Sequence, residues 1–255
     1  GQGSQTIGMG KDFFENSDIA KNMISNASAR LGIDFEKLLF EENDNIGKTE
    51  FTQPAILLVS SIANAIFKEK YNITPEFVLG HSLGEFSALV AGGGIDYLDA
   101  IELVHKRGLF MTEACAGGGA GMMALVGIDD ATVEKVCTEQ RELGKRVWPA
   151  NYNMDGQLVL AGIKADLESL VDVFKAAGAK RAIVLDMSVA SHCELLKRAV
   201  ENLKPYLEKF LKDEFMPVIS NVSTQAYSSK AEAIELLSSQ LTSPVKYKQS
   251  IKACE

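Results

Sequence analysis

Apolar and polar positions follow two different grammars along this chain. Early on the period is helical: in TQPAILLVSSIANAIFKEK, residues 52–70, Ile56, Val59, Ala63 and Ile66 recur on one face behind a Thr52 cap and an early Pro54. Helical patterns also fill the stretch between the glycine-rich opening GQGSQTIGMG and Leu39, and the stretch from about Tyr97 to Ala116, which ends in a glycine run at Gly117. Asn72-Ile73-Thr74-Pro75 turns the chain. Glu76 to Leu79 is then a short apolar run suited to a buried strand, and a helix beginning near Leu83 ends at Gly92-Gly93-Gly94.

Past residue 120 the grammar changes, and short apolar runs alternate with helical patterns. GMMALVGI predicts a strand, and Asp129 or Asp130 caps a helix through Val136 to Leu143. VWPANYN and QLVLAGI predict two strands joined at Met154-Asp155-Gly156, a hairpin signal. A helix from Asp166 to Ala177 stops at Gly178, and RAIVLDMS predicts a last strand. The order βαββαβ is that of the ferredoxin-like unit, in which each element buries a face against the others. Residues 119–190 are therefore expected as a small domain inserted into a larger one made of 1–118 and 191–255. The larger domain resumes with the helix ELLKRAVENLKPYLEKFL, the strand-like MPVISNVS and a helix from Ala231 to Gln240.

Composition narrows the function. At 255 residues and 46% hydrophobic content the chain has material for a sizeable core. A net charge of −8 argues against a nucleic-acid surface, because phosphate binding is driven by Lys and Arg displacing counterions. Any anionic substrate must then meet a local basic group. Cys115, Cys137, Cys193 and Cys254 are far apart, without the close pairs of a zinc site or a disulfide framework, as suits a reducing compartment. No apolar run approaches the ~20 residues of a membrane span, and no signal-peptide pattern opens the chain. A cytoplasmic monomer without nucleic-acid or membrane partners is expected.

The candidate chemistry lies in VLGHSLGEFS, residues 78–87. Gly80-His81-Ser82-Leu83-Gly84 fits G-x-S-x-G, in which a serine rides a tight turn from strand to helix, and here a strand pattern precedes it and a helix follows. That context predicts an α/β-hydrolase-like core with a mostly parallel sheet. A serine hydroxyl needs a base within hydrogen-bonding reach and donors for the oxyanion. Of three histidines, His81 adjoins the serine on a sharp turn, where neighbouring side chains diverge; His105 reads as part of a solvated helix face beside Lys106 and Arg107. His192, in SVASHCELL, follows the serine in chain order as the base does in α/β hydrolases. Cys193 beside it reads as a small space-filler.

Several segments together resemble the malonyl-CoA:acyl-carrier-protein transacylases and the acyltransferase domains of polyketide synthases: GQGSQ at 1–5, TQPA at 52–55, GHSLGE at 80–85, RG at 107–108, GMMAL at 121–125, QLVLAG at 157–162, SHCELL at 191–196, SNV at 220–222 and SPVKY at 243–247. The resemblance implies that Ser82 takes a malonyl group from malonyl-CoA and passes it to the phosphopantetheine thiol of an acyl carrier protein, with His192 as general base and then acid. It implies an oxyanion hole of the backbone N–H groups of Gln5 and Leu83, and Arg107 as bidentate ligand of the malonyl carboxylate. Gln53 and Asn153 would line the pocket. No cofactor and no metal is implied. In place of a triad acid, a backbone carbonyl orients the histidine, expected here from Lys246. Lys180, Arg181, Lys197 and Arg198 are candidate docking charges for an acidic carrier protein. Malonyl is preferred over methylmalonyl, in fatty-acid synthesis of the bacterial type. Relatives carry a strand before GQGSQ and a further segment and helix past SPVKY, so the chain is expected to be part of a longer protein. Two rival readings remain: a serine esterase or thioesterase that uses the same Ser82 and His192 but hands the acyl group to water, and a non-catalytic fragment that binds acyl carrier protein, for which no acylated serine is expected.

Overall fold

The computed structural model describes residues 1–254. In chain order the elements are α1 (Lys11–Asn16), α2 (Asp18–Leu31), α3 (Phe35–Phe40), α4 (Thr49–Lys70), α5 (Leu83–Ala91), α6 (Tyr97–Ala114), β1 (Ala120–Val126), α7 (Asp130–Glu142), β2 (Val147–Met154), β3 (Gln157–Ile163), α8 (Lys164–Ala176) and β4 (Arg181–Val184). A 3-10 turn at Glu194–Leu196 then leads into α9 (Lys197–Phe210), β5 (Glu214–Ile219), β6 (Ala226–Ser229), α10 (Lys230–Gln240) and α11 (Tyr247–Lys252). They form two compact units: residues 1–109, 203–219 and 226–234 make the first, and residues 110–202, 220–225 and 235–255 the second.

In the first unit α4 is the central helix, with Thr52, Gln53, Leu57, Leu58 and Ile62 buried. By length and composition it could cross a bilayer, against the expectation of no such run, but half of that window is buried inside the protein, as in a core helix. The mostly parallel sheet expected here is not what forms among the described residues. Val78 makes a single parallel bridge to Val218, through Val78 N–H to the Pro217 carbonyl and Ile219 N–H to the Val78 carbonyl, both 2.9 Å. β5 instead pairs antiparallel with β6. The next parallel rung would require an N–H from Pro217 toward Glu76, and proline has none. The run 76–79 is thus reduced to one bridge.

The second unit carries the expected βαββαβ order as a four-stranded sheet, β2-β3-β1-β4, with antiparallel pairing at each of the three interfaces. The β2–β3 turn lies at Asp155-Gly156, and Gly156 has φ of +75°, which is what that turn needs from a glycine. Helices α7 and α8 bury Val133, Val136, Leu167, Leu170 and Phe174 against Leu125, Leu158 and Leu160 of the sheet. The boundaries differ from the expected 119–190. Cys193 packs with Ala120, Met122, Ala150 and Ala161, which ties 191–202 to this unit. The C-terminal stretch joins too: Val245 bridges Asn151 on β2, with Tyr152 N–H donating to the Val245 carbonyl at 2.9 Å, and Lys248 meets Asp155 at 3.0 Å. Sequence-distant segments complete this sheet, so it is not a self-contained insertion.

Candidate active site

The turn at 80–84 is built by sterics. A Cβ on Gly80 would lie 2.0 Å from the Gly84 carbonyl oxygen, far inside contact distance, so only glycine lets the chain fold back on itself there. A Cβ on Gly84 would meet nothing within 4 Å, so the close approach constrains one glycine of the motif rather than both. Between them Ser82 adopts φ 53° and ψ −106°, a conformation that strains a non-glycine residue by about 1–3 kcal/mol. α5 begins at the next residue, so the Leu83 N–H lies in the first turn, where amides have no intrahelical acceptor and the helix dipole favours negative charge. Gln5 sits in the opening loop, with its side-chain oxygen accepting from Gly3 N–H at 2.7 Å. The loop is tied to α4 by Gln2, whose amide donates to Thr49 Oγ1 at 2.9 Å.

Arg107 reaches this turn because α6 lies tightly on α4. Pro54 inside α4 has no N–H to give the Glu50 carbonyl one turn back. His105 supplies it: its Nδ1 lies 2.8 Å from Glu50 O, so this histidine is a helix-to-helix tie and not a solvated face. Three residues on, Gly108 allows the contact, since a Cβ there would sit 2.6 Å from Glu50 Cα. Arg107 is only 1% exposed, and its guanidinium donates to Gln53 Oε1 at 2.8 Å and to Ser82 Oγ at 3.3 Å. Its Cζ stands 5.3 Å from the centre of the Phe86 ring. Burial pulls its pKa down to about 10, which leaves it charged at neutral pH. The first unit therefore brings three of the expected residues together, Ser82, Gln53 and Arg107.

His192 lies in the second unit, 2% exposed, and it too has positive φ, 60°. Its Nδ1 is 2.7 Å from the Gln240 carbonyl oxygen. A carbonyl only accepts, so Nδ1 bears the proton and the lone pair of the neutral ring sits on Nε2. Gln240 is the last residue of α10, where carbonyls have no partner within the helix and the dipole favours a cation. The expected Lys246 carbonyl is committed elsewhere: Lys246 caps α11, and its carbonyl accepts from Ser250 N–H and Ser250 Oγ, both at 2.9 Å. Gln240 takes that role from Lys246.

The remaining residues fall as follows. Asn153 lies near the end of β2, half-buried, whereas the fully buried amide on that strand is Asn151. Cys193 is 1% exposed, and burial pushes its thiol up to about 12, so it is no thiolate at neutral pH. Lys180, Arg181, Lys197 and Arg198 are exposed, and Lys197 pairs with Glu194 at 2.8 Å. The sequence reading missed Glu85 and Phe86, although both stand in the quoted stretch, and Tyr227, whose phenol donates to Glu85 Oε1 at 2.9 Å.

Residues 1–255 match the family described as the acyl transferase domain. The malonyl CoA-acyl carrier protein transacylase of Bacillus subtilis is 43% identical over 98% of this chain and 80% of its own length. That of Escherichia coli K12 is 40% identical over 99% of this chain and 82% of its own. The crystal structure of malonyl-CoA:acyl carrier protein transacylase from Helicobacter pylori superposes with a TM-score of 0.95 at 46% identity, covering 99% of this chain and 81% of that one. A malonyl-transacylase solved in complex with a type II PKS acyl-carrier protein gives 0.94 at 38% identity, covering 99% and 82%. With its strained serine turn, buried arginine and a family match over its whole length, the chain belongs to the acyl transferase domain family.

Proposed function

We propose that this protein moves a malonyl group from malonyl-CoA to the phosphopantetheine thiol of acyl carrier protein through a malonyl-serine intermediate. Ser82 Oγ attacks the thioester carbonyl carbon while its proton passes to Nε2 of His192. The C–S bond breaks, and the thiolate of CoA leaves with that proton. In the second half the pantetheine thiol gives its proton to Nε2 and attacks the malonyl-serine, and the serine oxygen leaves reprotonated. Backbone N–H groups of Leu83 and Gln5 hold the oxyanion in both halves. The Gln240 carbonyl fixes the tautomer in which Nε2 is basic and favours the imidazolium that forms. This scheme uses no cofactor.

The observation that carries the reading is a fully buried guanidinium 3.3 Å from Ser82 Oγ. A guanidinium beside the nucleophile can grip a carboxylate through two charge-assisted bonds, and malonate keeps one free at the far end of the acyl group. An esterase of neutral acyl groups has no use for that cation. Gln53, bonded to the same guanidinium, sets its plane. The residue 120–184 sheet with its two helices is read as a ferredoxin-like unit, with the 2-3-1-4 strand order supporting that. The four free cysteines fit a reducing, cytoplasmic setting.

The test is transfer itself. Incubated with malonyl-CoA and holo acyl carrier protein, the protein is expected to produce malonyl-carrier protein, seen by mass spectrometry, with little free malonate. Release of malonate to water at the rate of CoA release would instead identify a thioesterase.

A further inference from the structure

Burying Arg107 raises a question that Gln53, Ser82 and the Phe86 ring do not answer, since none of the three brings a formal charge. Glu85 does. It stands in the first turn of α5, three residues past Ser82 and next to Phe86, and is 1% exposed. An acid at a helix start commonly serves the dipole from the surface, which does not require burial. This carboxylate is instead held from below: Tyr227 on β6, 3% exposed, donates its phenol to Oε1 at 2.9 Å, and its ring is fixed edge-on by Phe215 at 5.9 Å. Glu85 stands one helical turn from Ser82, its N–H donating to the Ser82 carbonyl at 3.0 Å, and Arg107 reaches Ser82 Oγ at 3.3 Å and lies 5.3 Å from the ring of the adjacent Phe86. The carboxylate is therefore close enough for its charge to oppose the effect of burial on the guanidinium; burial of Tyr227 and the Glu85 charge keep the phenol protonated.

We propose that Glu85, pinned by Tyr227, is a positioning residue for Arg107: it is the built-in counter-charge that the acyl carboxylate must partly displace, and so it sets how tightly the site grips an acidic acyl group. The chain of influence runs Tyr227, Glu85, Arg107, carboxylate, and it rests on the malonyl reading above. A counter-charge lowers the cost of an empty site, and for the same reason weakens the hold on a filled one. That suits an enzyme that must release its acyl group to a second acceptor.

The test compares the full chain with Glu85→Gln, Tyr227→Phe and the double variant, measuring KM and kcat for malonyl-CoA and the thermal shift produced by free malonate, with acetate as control. Glu85→Gln is expected to melt earlier in buffer, to gain a larger malonate-induced shift than wild type, and to show a KM lowered by about three- to tenfold, within the usual range for coupled neighbours. Acetate shifts stay unchanged. Tyr227→Phe leaves the carboxylate free to move toward the guanidinium, so KM rises by about twofold with kcat kept. In the double variant the tyrosine effect disappears, because the phenol works only through the charge. A Glu85→Gln protein that is merely less stable, with wild-type malonate shift and KM, overturns the proposal. If Glu85→Gln does not fold, Tyr227→Phe decides alone, and an unchanged KM overturns it. Should wild type form no malonyl adduct on Ser82, the transfer reading fails, while the malonate shifts still decide the counter-charge.

Discussion

The serine turn of the first unit and the four-stranded sheet of the second are built on opposite terms. In the sheet, β1 and β3 pair through seven residues in register from Ala120↔Ile163 to Val126↔Gln157, and the helices cover one face with aliphatic side chains. Among the described residues, the helix-covered face holds aliphatic side chains and no buried charge. At the turn, a serine takes positive φ, two chain segments approach within a distance that admits only glycine, and an arginine, a glutamate and a glutamine are buried. Strain and buried charge persist only where surrounding structure holds them, and they gather where a site must be organised before its substrate arrives. His192 shares this character in the second unit, with φ of 60° outside the sheet.

Four measurements press on that contrast. Replacing His192 by Ala is expected to lower malonyl transfer by about a thousandfold or more while leaving the circular dichroism unchanged, because the residue lies outside the sheet core; a fall below tenfold would mean that the strained histidine is structural. Arg107→Ala should raise KM for malonyl-CoA by about a hundredfold, the usual scale for a buried charge-assisted contact, with hydrolysis of a simple neutral ester spared. An equal loss on both substrates would make Arg107 a prop for the turn. Gly80→Ala is expected to destabilise by about 3 kcal/mol or more, lowering Tm by roughly 10 °C, whereas Gly84→Ala is neutral or stabilising by up to ~1 kcal/mol because it adds helix propensity at an open position. Equal effects of the two alanines in a thermal melt would contradict the one-sided contact. Smallest of all, Asp186→Asn and Glu194→Gln should each change the transfer rate by less than about twofold, since the Gln240 carbonyl holds Nδ1 of His192.

The regular region was the more legible one. QLVLAGI forms β3 at its expected limits because a short apolar run directly after the Asp155-Gly156 turn signal points to one structure. The serine turn was legible from its context, a strand-like run before G-x-S-x-G and a helical pattern after it, because the two glycines alone are common in a chain with 21 of them. What stayed hidden depended on backbone or on distant pairing. Any residue offers a carbonyl, so nothing in the side chain of Gln240 marks it; the helix was expected to end there, but that its last carbonyl meets His192, 48 residues away in the chain, is set by the tertiary fold. The single parallel bridge at Val78 follows from Pro217, but only once the two segments are known to be neighbours. Glu85 was overlooked because an acid in a first helical turn has an ordinary explanation that does not involve its burial. The expected inserted domain was drawn too small, because Val245 and Cys193 complete its sheet and core from the far end of the chain.

The most direct measurement is the mass of the intact protein after brief exposure to malonyl-CoA alone, followed by peptide mapping. One malonyl group on the peptide that contains Ser82, absent from Ser82→Ala and discharged by holo acyl carrier protein, is the expected result. No adduct, or one that survives in Ser82→Ala, would contradict the assignment of that strained serine as the acyl carrier.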